Sequence, residues 1–285
     1  MATRSEVKNL DVRRFGGAHS YMSTILYPHS AGATFSKMLR LFALPVTTLL
    51  LIFIDRVWGG MNSAHVNMLA AVAIVLAGIP HGTLDVEIAA AHFGQKGFAS
   101  KAKIIGGYLA CAGAMVLLWL QLPELALISF LVISIVHFSR DWRGGVDPFL
   151  AMMVGWALVA LPALASPNDV AMIFAALTGS YNGAVIAALL GAASVPAALG
   201  SLVFAYWAFR HDDTQSAMEV LACIAAALLL PPLVAFAIFF CGLHSPRHMA
   251  EALRETGDLS PLKKTAIIIA VFSLSLGMGV LMFLF

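Results

Sequence analysis

Long apolar stretches recur from about residue 38 onward, and they restrict the fold of this chain more than any other feature. Residues 148–165, PFLAMMVGWALVALPALA, contain no charged side chain. A bilayer core of about 30 Å is crossed by a helix of roughly 20 apolar residues. Eight segments come close to or exceed that length: 38–55, 66–91, 103–121, 124–140, 148–165, 184–209, 216–243 and 264–285. A ninth apolar segment, 168–179, is shorter. The sequence therefore predicts an all-α, polytopic transmembrane bundle of about eight or nine helices.

The composition supports a membrane protein and argues against a nucleic-acid partner. Only 11% of the residues are charged, whereas a soluble domain carries about 25%. The net charge is +2, and no Lys/Arg cluster alternates with aromatic residues as a nucleic-acid groove requires. The three cysteines lie in apolar stretches without a CxxC motif, so neither a disulfide framework nor a thiolate metal site is indicated.

The first 36 residues differ from the rest because they are polar and contain no long apolar core. We expect a polar N-terminal arm over 1–36 and a single transmembrane helical domain over 37–285. Lys and Arg are enriched on the cytoplasmic side of membrane proteins, and the basic segments share one face if 168–179 also crosses. This predicts a multi-pass plasma-membrane protein with a cytoplasmic N-terminus. If 168–179 does not cross the membrane, every later segment has the opposite orientation.

Four histidines lie in or beside the apolar helices, all toward the same predicted face. They occur in three segments, in which two polar groups are four residues apart: His81 and Asp85 in GIPHGTLD, His137 and Asp141 in SIVHFSRDW, and His244 and His248 in GLHSPRHMAE. On a helix this spacing places both groups on one side, one turn apart. Ionisable groups inside membrane helices cost about 2.5–3.5 kcal/mol and usually face the bundle interior. The histidines are therefore candidates for one shared site within the bundle.

The chemistry of such a site is metal binding. Four imidazoles suit zinc, copper, iron or nickel, and an octahedral ion would keep open positions that tetrahedral structural zinc lacks. A carboxylate one turn from a histidine can accept its second ring N–H and orient it, which is the role expected of Asp85 and Asp141. Pro246 leaves the same-face geometry of His244 and His248 open. Each histidine alone could equally serve a hydrogen bond between helices, and Arg247 is expected to be an interfacial anchor.

At these residues the sequence resembles the Brp/Blh family of bacterial and archaeal β-carotene 15,15′-dioxygenases. The motifs PHGTLD (80–85), HFSRDW (137–142) and HSPRH (244–248) follow the family's order. The resemblance implies a membrane enzyme with non-haem Fe²⁺ that splits the central double bond of β-carotene with O₂ into two all-trans-retinal molecules. It also implies a functional link to a retinal-binding rhodopsin. The metal ligands and catalytic residues that it implies are His81, His137, His244 and His248.

The substrate implied by the resemblance is a long, rigid hydrocarbon that dissolves in the lipid bilayer. A site inside the bundle could admit it laterally, and the walls of an apolar tunnel would decide which double bond meets the metal. We expect aromatic residues of the helices to line this tunnel. The candidates are Phe138, Trp142, Trp156, Tyr206, Phe236 and Phe240.

Three other functions remain open at this point. A membrane diiron oxygenase or desaturase would need more histidines in HxxxH and HxxHH clusters, and only His244 and His248 have such spacing. A b-type haem electron carrier would use pairs of histidines on facing helices and would show a Soret band. A transporter with a histidine-lined path is compatible with helices broken by proline, but no inverted repeat supports it.

Overall fold

Helices and short connections make up all of the chain that the computed structural model describes, namely residues 31–92, 98–142, 144, 146–256 and 259–284. Side chains are described between residues 41 and 273, except at 80, 81, 91–98, 100, 143, 145, 257 and 258. No strand occurs within these ranges, so the all-α prediction is confirmed.

The described ranges contain thirteen α-helices. The first six are α1 (Ala31–Trp58), α2 (Ala64–His81), α3 (Asp85–His92), α4 (Phe98–Gln121), α5 (Pro123–Phe138) and α6 (Pro148–Ala165). The others are α7 (Pro167–Thr178), α8 (Asn182–Ala192), α9 (Ser194–Arg210), α10 (Thr214–Leu229), α11 (Pro232–Phe239), α12 (Ser245–Glu255) and α13 (Pro261–Leu284). A 3₁₀ turn, Ser139–Trp142, follows α5, and a π-helical segment, Phe240–His244, joins α11 to α12.

Proline and short polar residues set many of the helix ends. Proline is the first residue of five helices, where the N–H that it lacks has no intrahelical partner in any case. Asp147 caps α6 by accepting a 2.7 Å hydrogen bond from the Phe149 backbone nitrogen. Gly179 ends α7 at a φ of 65°, a left-handed conformation that glycine adopts without steric cost.

Three of the long apolar stretches are each divided into separate helices. The stretch 66–91 breaks at a turn after His81, which separates α2 from α3. The stretch 184–209 bends by 41° between α8 and α9. The stretch 216–243 is interrupted at Pro231 and Pro232, because proline cannot donate the hydrogen bond that a continuous helix requires. Apolar length alone therefore overestimates the length of these helices.

Several helices are long and apolar enough to cross a membrane. Four segments in the described ranges meet this criterion: Leu41–Trp58, Lys101–Gln121, Pro123–Trp142 and Pro148–Ala165. The bent α8–α9 pair makes a fifth if the two helices count as one span. None of the residues of Lys101–Gln121 is buried, so this apolar helix needs an apolar environment outside the protein. Ala64–Ile79 and Thr214–Leu229 are shorter apolar helices. The eight or nine crossings remain a prediction.

Residues Arg40–Phe285 form one compact unit. Residues 1–30 of the predicted arm lie outside the described part of the chain, and its boundary at residue 36 stays a prediction. The main core of this compact unit lies between α5, α6, α9, α10 and α11 and is centred on the buried Phe204, Val220 and Phe239.

A close approach of two helices positions the end of α5. A methyl group added at Gly155 of α6 would overlap the Ile135 carbonyl oxygen and would lie 2.9 Å from the Ser139 backbone nitrogen. Small residues allow helix backbones to pack closely in this way. The α5 segment held by Gly155 includes His137.

Candidate active site

Two of the predicted histidines meet directly. His137 lies in the last turn of α5, and His244 is the last residue of the π-helical segment. Their Nε2 atoms are 3.1 Å apart, and their ring centroids are 4.9 Å apart with nearly perpendicular planes. His244 is only 2% exposed. A π-helical turn inserts an extra residue and is frequent at functional sites; here it ends at this histidine.

Asp141 lies on the other side of the His244 ring. Its Oδ2 atom is 2.7 Å from Nδ1 of His244. When the N–H at Nδ1 donates a hydrogen bond to the carboxylate, the neutral ring presents the lone pair of Nε2 toward His137. The spacing argument paired Asp141 with His137 along one helix. In the structure α5 ends at Phe138, and Asp141 stands in the 3₁₀ turn beyond it, where its carboxylate contacts His244.

His248 lies in the first turns of α12, near the pair but further away. Its ring centroid is 6.1 Å from that of His137 and 6.2 Å from that of His244. Pro246 does not restart the helix after a cap at Ser245, because the chain passes without a break from the π-helical segment into α12. Burial raises the pKa of the Asp85 carboxyl, and the neighbouring His248 offsets part of this rise.

The fourth histidine, His81, is the last residue of α2, and its side chain lies outside the described residues. The α2 backbone one turn before His81 lies next to the segment that holds His244. The hydroxyl of Ser245 donates a 2.7 Å hydrogen bond to the Ala77 carbonyl oxygen, and α2 packs against both the π-helical segment and α12. The C-terminal turn of α2 is therefore adjacent to His244, and His81 remains a predicted ligand.

A polar cavity of about 400 Å³ opens beside these histidines. Nine of its eleven lining residues carry a charged group or an imidazole, which is unlike the apolar tunnel expected for a hydrocarbon. The lining residues are Asp85, Ile88, His137, Arg140, Asp141, His244, Arg247, His248, Glu251, Ala252 and Glu255.

An ion pair that the sequence did not reveal connects this cavity to α10. Arg247 of α12 lies 2.5 Å from the carboxylate of Glu219, a residue of α10 that is only 3% exposed. A second guanidinium nitrogen is 3.4 Å from the Asp141 carbonyl oxygen, and Gln215 donates a 2.9 Å hydrogen bond to the other Glu219 oxygen. Arg247 is thus more than an interfacial anchor. The available signal was a lone glutamate early in the apolar stretch 216–243.

Four of the six tunnel candidates lie in or next to one aromatic cluster. The Phe138 and Phe240 rings are 4.9 Å and 5.5 Å from the His244 ring. Phe236 stacks on Phe240 at 5.4 Å. Trp142 is buried and stacks on Phe239 at 6.1 Å. These rings form an apolar wall against the buried side of the histidine pair.

The other two tunnel candidates lie elsewhere. Trp156 is half-buried in a separate cluster around Ala157 and Leu161. Tyr206 of α9 is 68% exposed. The structure therefore does not bring these two side chains to the aromatic cluster beside His244.

The distance between the Nε2 atoms of His137 and His244 fits two ligands at neighbouring positions on one metal ion. Two nitrogens about 2.1 Å from an ion are about 3.0 Å apart at a right angle and about 3.4 Å apart at the tetrahedral angle. The observed separation of the two Nε2 atoms is 3.1 Å, and a carboxylate on the second ring nitrogen is usual for a metal-binding histidine. Among the described side chains, no group of three or more His, Cys, Asp and Glu is arranged to hold an ion. The complete ligand set stays a prediction.

Fold and site together define a class of protein: an all-helical chain with several membrane-length helices and a buried histidine–carboxylate network beside an aromatic cluster. The sequence profile of the family described as "Beta-carotene 15,15'-dioxygenase" matches residues 72–285, and the chain belongs to this enzyme family. It is 32% identical over 233 residues to a protein named "Beta-carotene 15,15'-dioxygenase" from an uncultured marine bacterium, 66A03. The match covers 79% of this chain and 84% of that protein. No solved structure matches the chain.

Proposed function

We propose that this protein is a membrane-embedded, iron-dependent dioxygenase that cleaves the central 15,15′ double bond of β-carotene with O₂ to give two molecules of all-trans-retinal. One observation carries the proposal: within a chain of this family, His137 and His244 present ring nitrogens 3.1 Å apart while Asp141 holds the second nitrogen of His244. A buried imidazole pair of this kind has a direct use as metal ligands.

His81, His137, His244 and His248 would hold the ion. When bound, Fe²⁺ would supply the reaction with O₂ that imidazole and carboxylate groups cannot perform. Asp141, whose Oδ2 atom is 2.7 Å from Nδ1 of His244, would favour the tautomer with its proton on Nδ1, which presents the Nε2 lone pair to the ion. Arg247 links the Asp141 backbone to the buried Glu219 and so limits the movement of this turn.

The surroundings of the pair suit a hydrocarbon substrate on one side and polar groups on the other. Phe138 and Phe240 pack against the His244 ring and offer π faces to a polyene. The polar cavity opens on the side of Asp85 and Glu251. This side would allow water, O₂ and the metal ion to reach the histidines, while the aromatic wall would contact the substrate.

The proposal includes a plasma-membrane location, a cytoplasmic N-terminus and about eight or nine crossings. It also includes a retinal-binding rhodopsin as the consumer of the product. Tags placed at the N-terminus and in the connection between α4 and α5 would be tested for accessibility in intact and opened cells. An N-terminal tag that is accessible in intact cells would contradict the orientation.

The main test is expression in cells that accumulate β-carotene. We expect loss of colour and formation of retinal, measured by chromatography of extracted pigments. The purified protein should contain iron and lack a Soret band, which separates it from a haem carrier. Protein that is well expressed and loaded with iron but leaves β-carotene intact would contradict the proposed substrate.

A further inference from the structure

A second cavity lies between α1, α2 and α11 and shares no lining residue with the polar one. It has a volume of about 510 Å³, which is within the range of roughly 300–1,000 Å³ that is usual for small-molecule sites. No charged side chain occurs among the described residues that line it, and the groove is open along one side. Small residues create much of its space, notably Ala70 and Ala73 of α2, Ala237 of α11, and Gly242 of the π-helical segment.

The groove leads toward the histidines along two elements. Cys241 and Gly242 line its end and belong to the same π-helical segment that ends at His244. On the facing side, Ala73 is the last lining residue of α2, and Ala77 is one turn further, about 6 Å along the helix axis. Ala77 is the residue whose carbonyl oxygen accepts the hydrogen bond from Ser245. The groove therefore ends about one helical turn from the candidate site.

An aromatic side chain occupies the interval between the groove and the histidine. A methyl group added at Gly78 would lie 3.6 Å from the Phe240 ring, so this ring faces α2 just beyond Ala77. The same ring is 5.5 Å from His244. A linear apolar molecule that leaves the groove along α2 meets Phe240 before it meets His244.

Exposed apolar side chains of α1 and α2 occur among or beside the residues that line the groove. Val46 and Leu50 of α1 are 56% and 54% exposed, and Leu69 of α2 is 65% exposed. A ligand reaching the groove past these side chains would come from the hydrocarbon region of a bilayer rather than from water. None of the described side chains that line the groove is a cation, so these residues offer no group for the phosphate of a lipid headgroup.

We propose that this groove binds one half of the carotenoid and directs its polyene past Phe240 to the histidines. This inference rests on the proposed function and adds the location of the substrate to it. The small side chains Ala73 and Ala237 are then specificity-determining residues, because their size leaves room for the end of the hydrocarbon.

The test fills the groove with a larger side chain. Ala73 is exposed, so Ala73→Phe narrows the groove without disturbing the core; Ala237→Leu is a second variant from the opposite wall. The matched control is Ala112→Phe, at an exposed position on α4. We expect the KM for β-carotene to rise about tenfold or more in both groove variants, with kcat unchanged. The control should keep the KM of the unchanged protein.

A second readout does not depend on turnover. The full chain is purified without iron from cells that accumulate β-carotene, and the carotenoid and phospholipid retained per protein are measured. Ala73→Phe should retain less carotenoid than the unchanged protein, while Ala112→Phe should retain the same amount. Carotenoid retention and KM that are unchanged in both groove variants would overturn the proposal, and so would a loss of phospholipid alone, since the groove would then hold an acyl chain.

Failure of the proposed function gives a different result. In that case, the unchanged protein neither retains nor cleaves β-carotene, whatever the groove variants do. If the unchanged protein cleaves β-carotene and Ala73→Phe cleaves it with the same KM, the activity stands and only the location in the groove is wrong.

Discussion

The polar cavity and the connection between α9 and α10 contain the same two residue types in different settings. In the connection, His211 is exposed, its Nδ1 is 2.8 Å from the Trp207 carbonyl oxygen, and its ring stacks on the Trp207 ring at 4.1 Å. Asp213 caps α10 by accepting a hydrogen bond from a backbone nitrogen. In the cavity, His244 is buried and pairs with Asp141, which is 103 positions away in sequence.

The difference shows that residue type does not decide which histidine could carry chemistry. The connection uses local contacts, within four positions, to complete two helix ends. The cavity combines groups from α3, α5, the 3₁₀ turn, the π-helical segment and α12, so each polar group depends on partners that only the folded chain supplies. Replacing matched residues in the cavity and at the periphery tests this distinction.

Replacing the buried histidine should have the largest effect. We expect His244→Ala to abolish retinal formation, because it removes a proposed ligand and leaves Asp141 without its ring partner. His211→Ala should retain the activity of the unchanged protein. Retinal is measured in membranes that contain equal amounts of each variant. Substantial cleavage by His244→Ala would remove the histidine pair from the proposed mechanism.

The next largest effect is expected on stability, when the ion pair between Arg247 and Glu219 is broken. Arg247→Ala leaves the carboxylate of Glu219 buried without its counter-charge, and we expect a loss of about 3 kcal/mol of stability. Lys101→Ala removes a comparable pair with Glu87, whose side chain is 19% exposed instead of 5%, and should cost about 0–1 kcal/mol. Thermal unfolding in detergent measures both.

A rescue variant checks the cause of this destabilisation. Adding Glu219→Gln to Arg247→Ala removes the unpaired buried charge, so part of the lost stability should return. If the double variant is no more stable than Arg247→Ala, or if Lys101→Ala is as damaging, the contrast between the buried and peripheral pairs is wrong.

A smaller effect is expected from the two aspartates. Asp141→Asn removes the charge that holds His244 in one tautomer, and we expect iron affinity and activity to fall about 10–100-fold. Asp213→Asn should change neither activity nor the melting temperature, since asparagine caps a helix as well as aspartate. Iron content and initial rates are the measurements. Unchanged iron affinity in Asp141→Asn would mean that this carboxylate does not support a ligand.

The smallest expected effect comes from helix packing. Gly155→Ala forces α6 away from the backbone around Ile135 and Ser139, and should destabilise the protein by about 1–3 kcal/mol. Gly113 of α4 has nothing within 4 Å of an added methyl group, so Gly113→Ala should stabilise its helix by about 0.5–1 kcal/mol. The melting temperatures should move in opposite directions. A stable Gly155→Ala would show that the contact between α5 and α6 can relax.

The helices followed closely from the sequence, but their continuity did not. An apolar stretch such as 148–165 becomes one helix, α6, with proline at its start. The stretch 216–243 becomes two helices and a π-helical segment, because Pro231 and Pro232 interrupt the hydrogen bonds. Hydropathy reports which residues avoid water, whereas helix length also depends on backbone donors.

For the site, the motifs identified His137, His244 and His248 as neighbours, and the structure brings them near one another. The motifs did not identify the hydrogen bond between Asp141 and His244, which are 103 positions apart. Glu219 was also missed. Its role depends on Arg247, which is 28 positions away on another helix, and no local pattern encodes such a pair.

The sequence by itself determined the fold class, because long apolar stretches with so few charges predict helices of membrane-spanning length. Together with its motifs, it also determined the family. Only the tertiary structure decided which carboxylate contacts which imidazole and which residues line the polar cavity and the apolar groove. Those properties depend on distances between separate helices, and such distances are set by close packing at positions such as Gly155 rather than by the local periodicity of the chain.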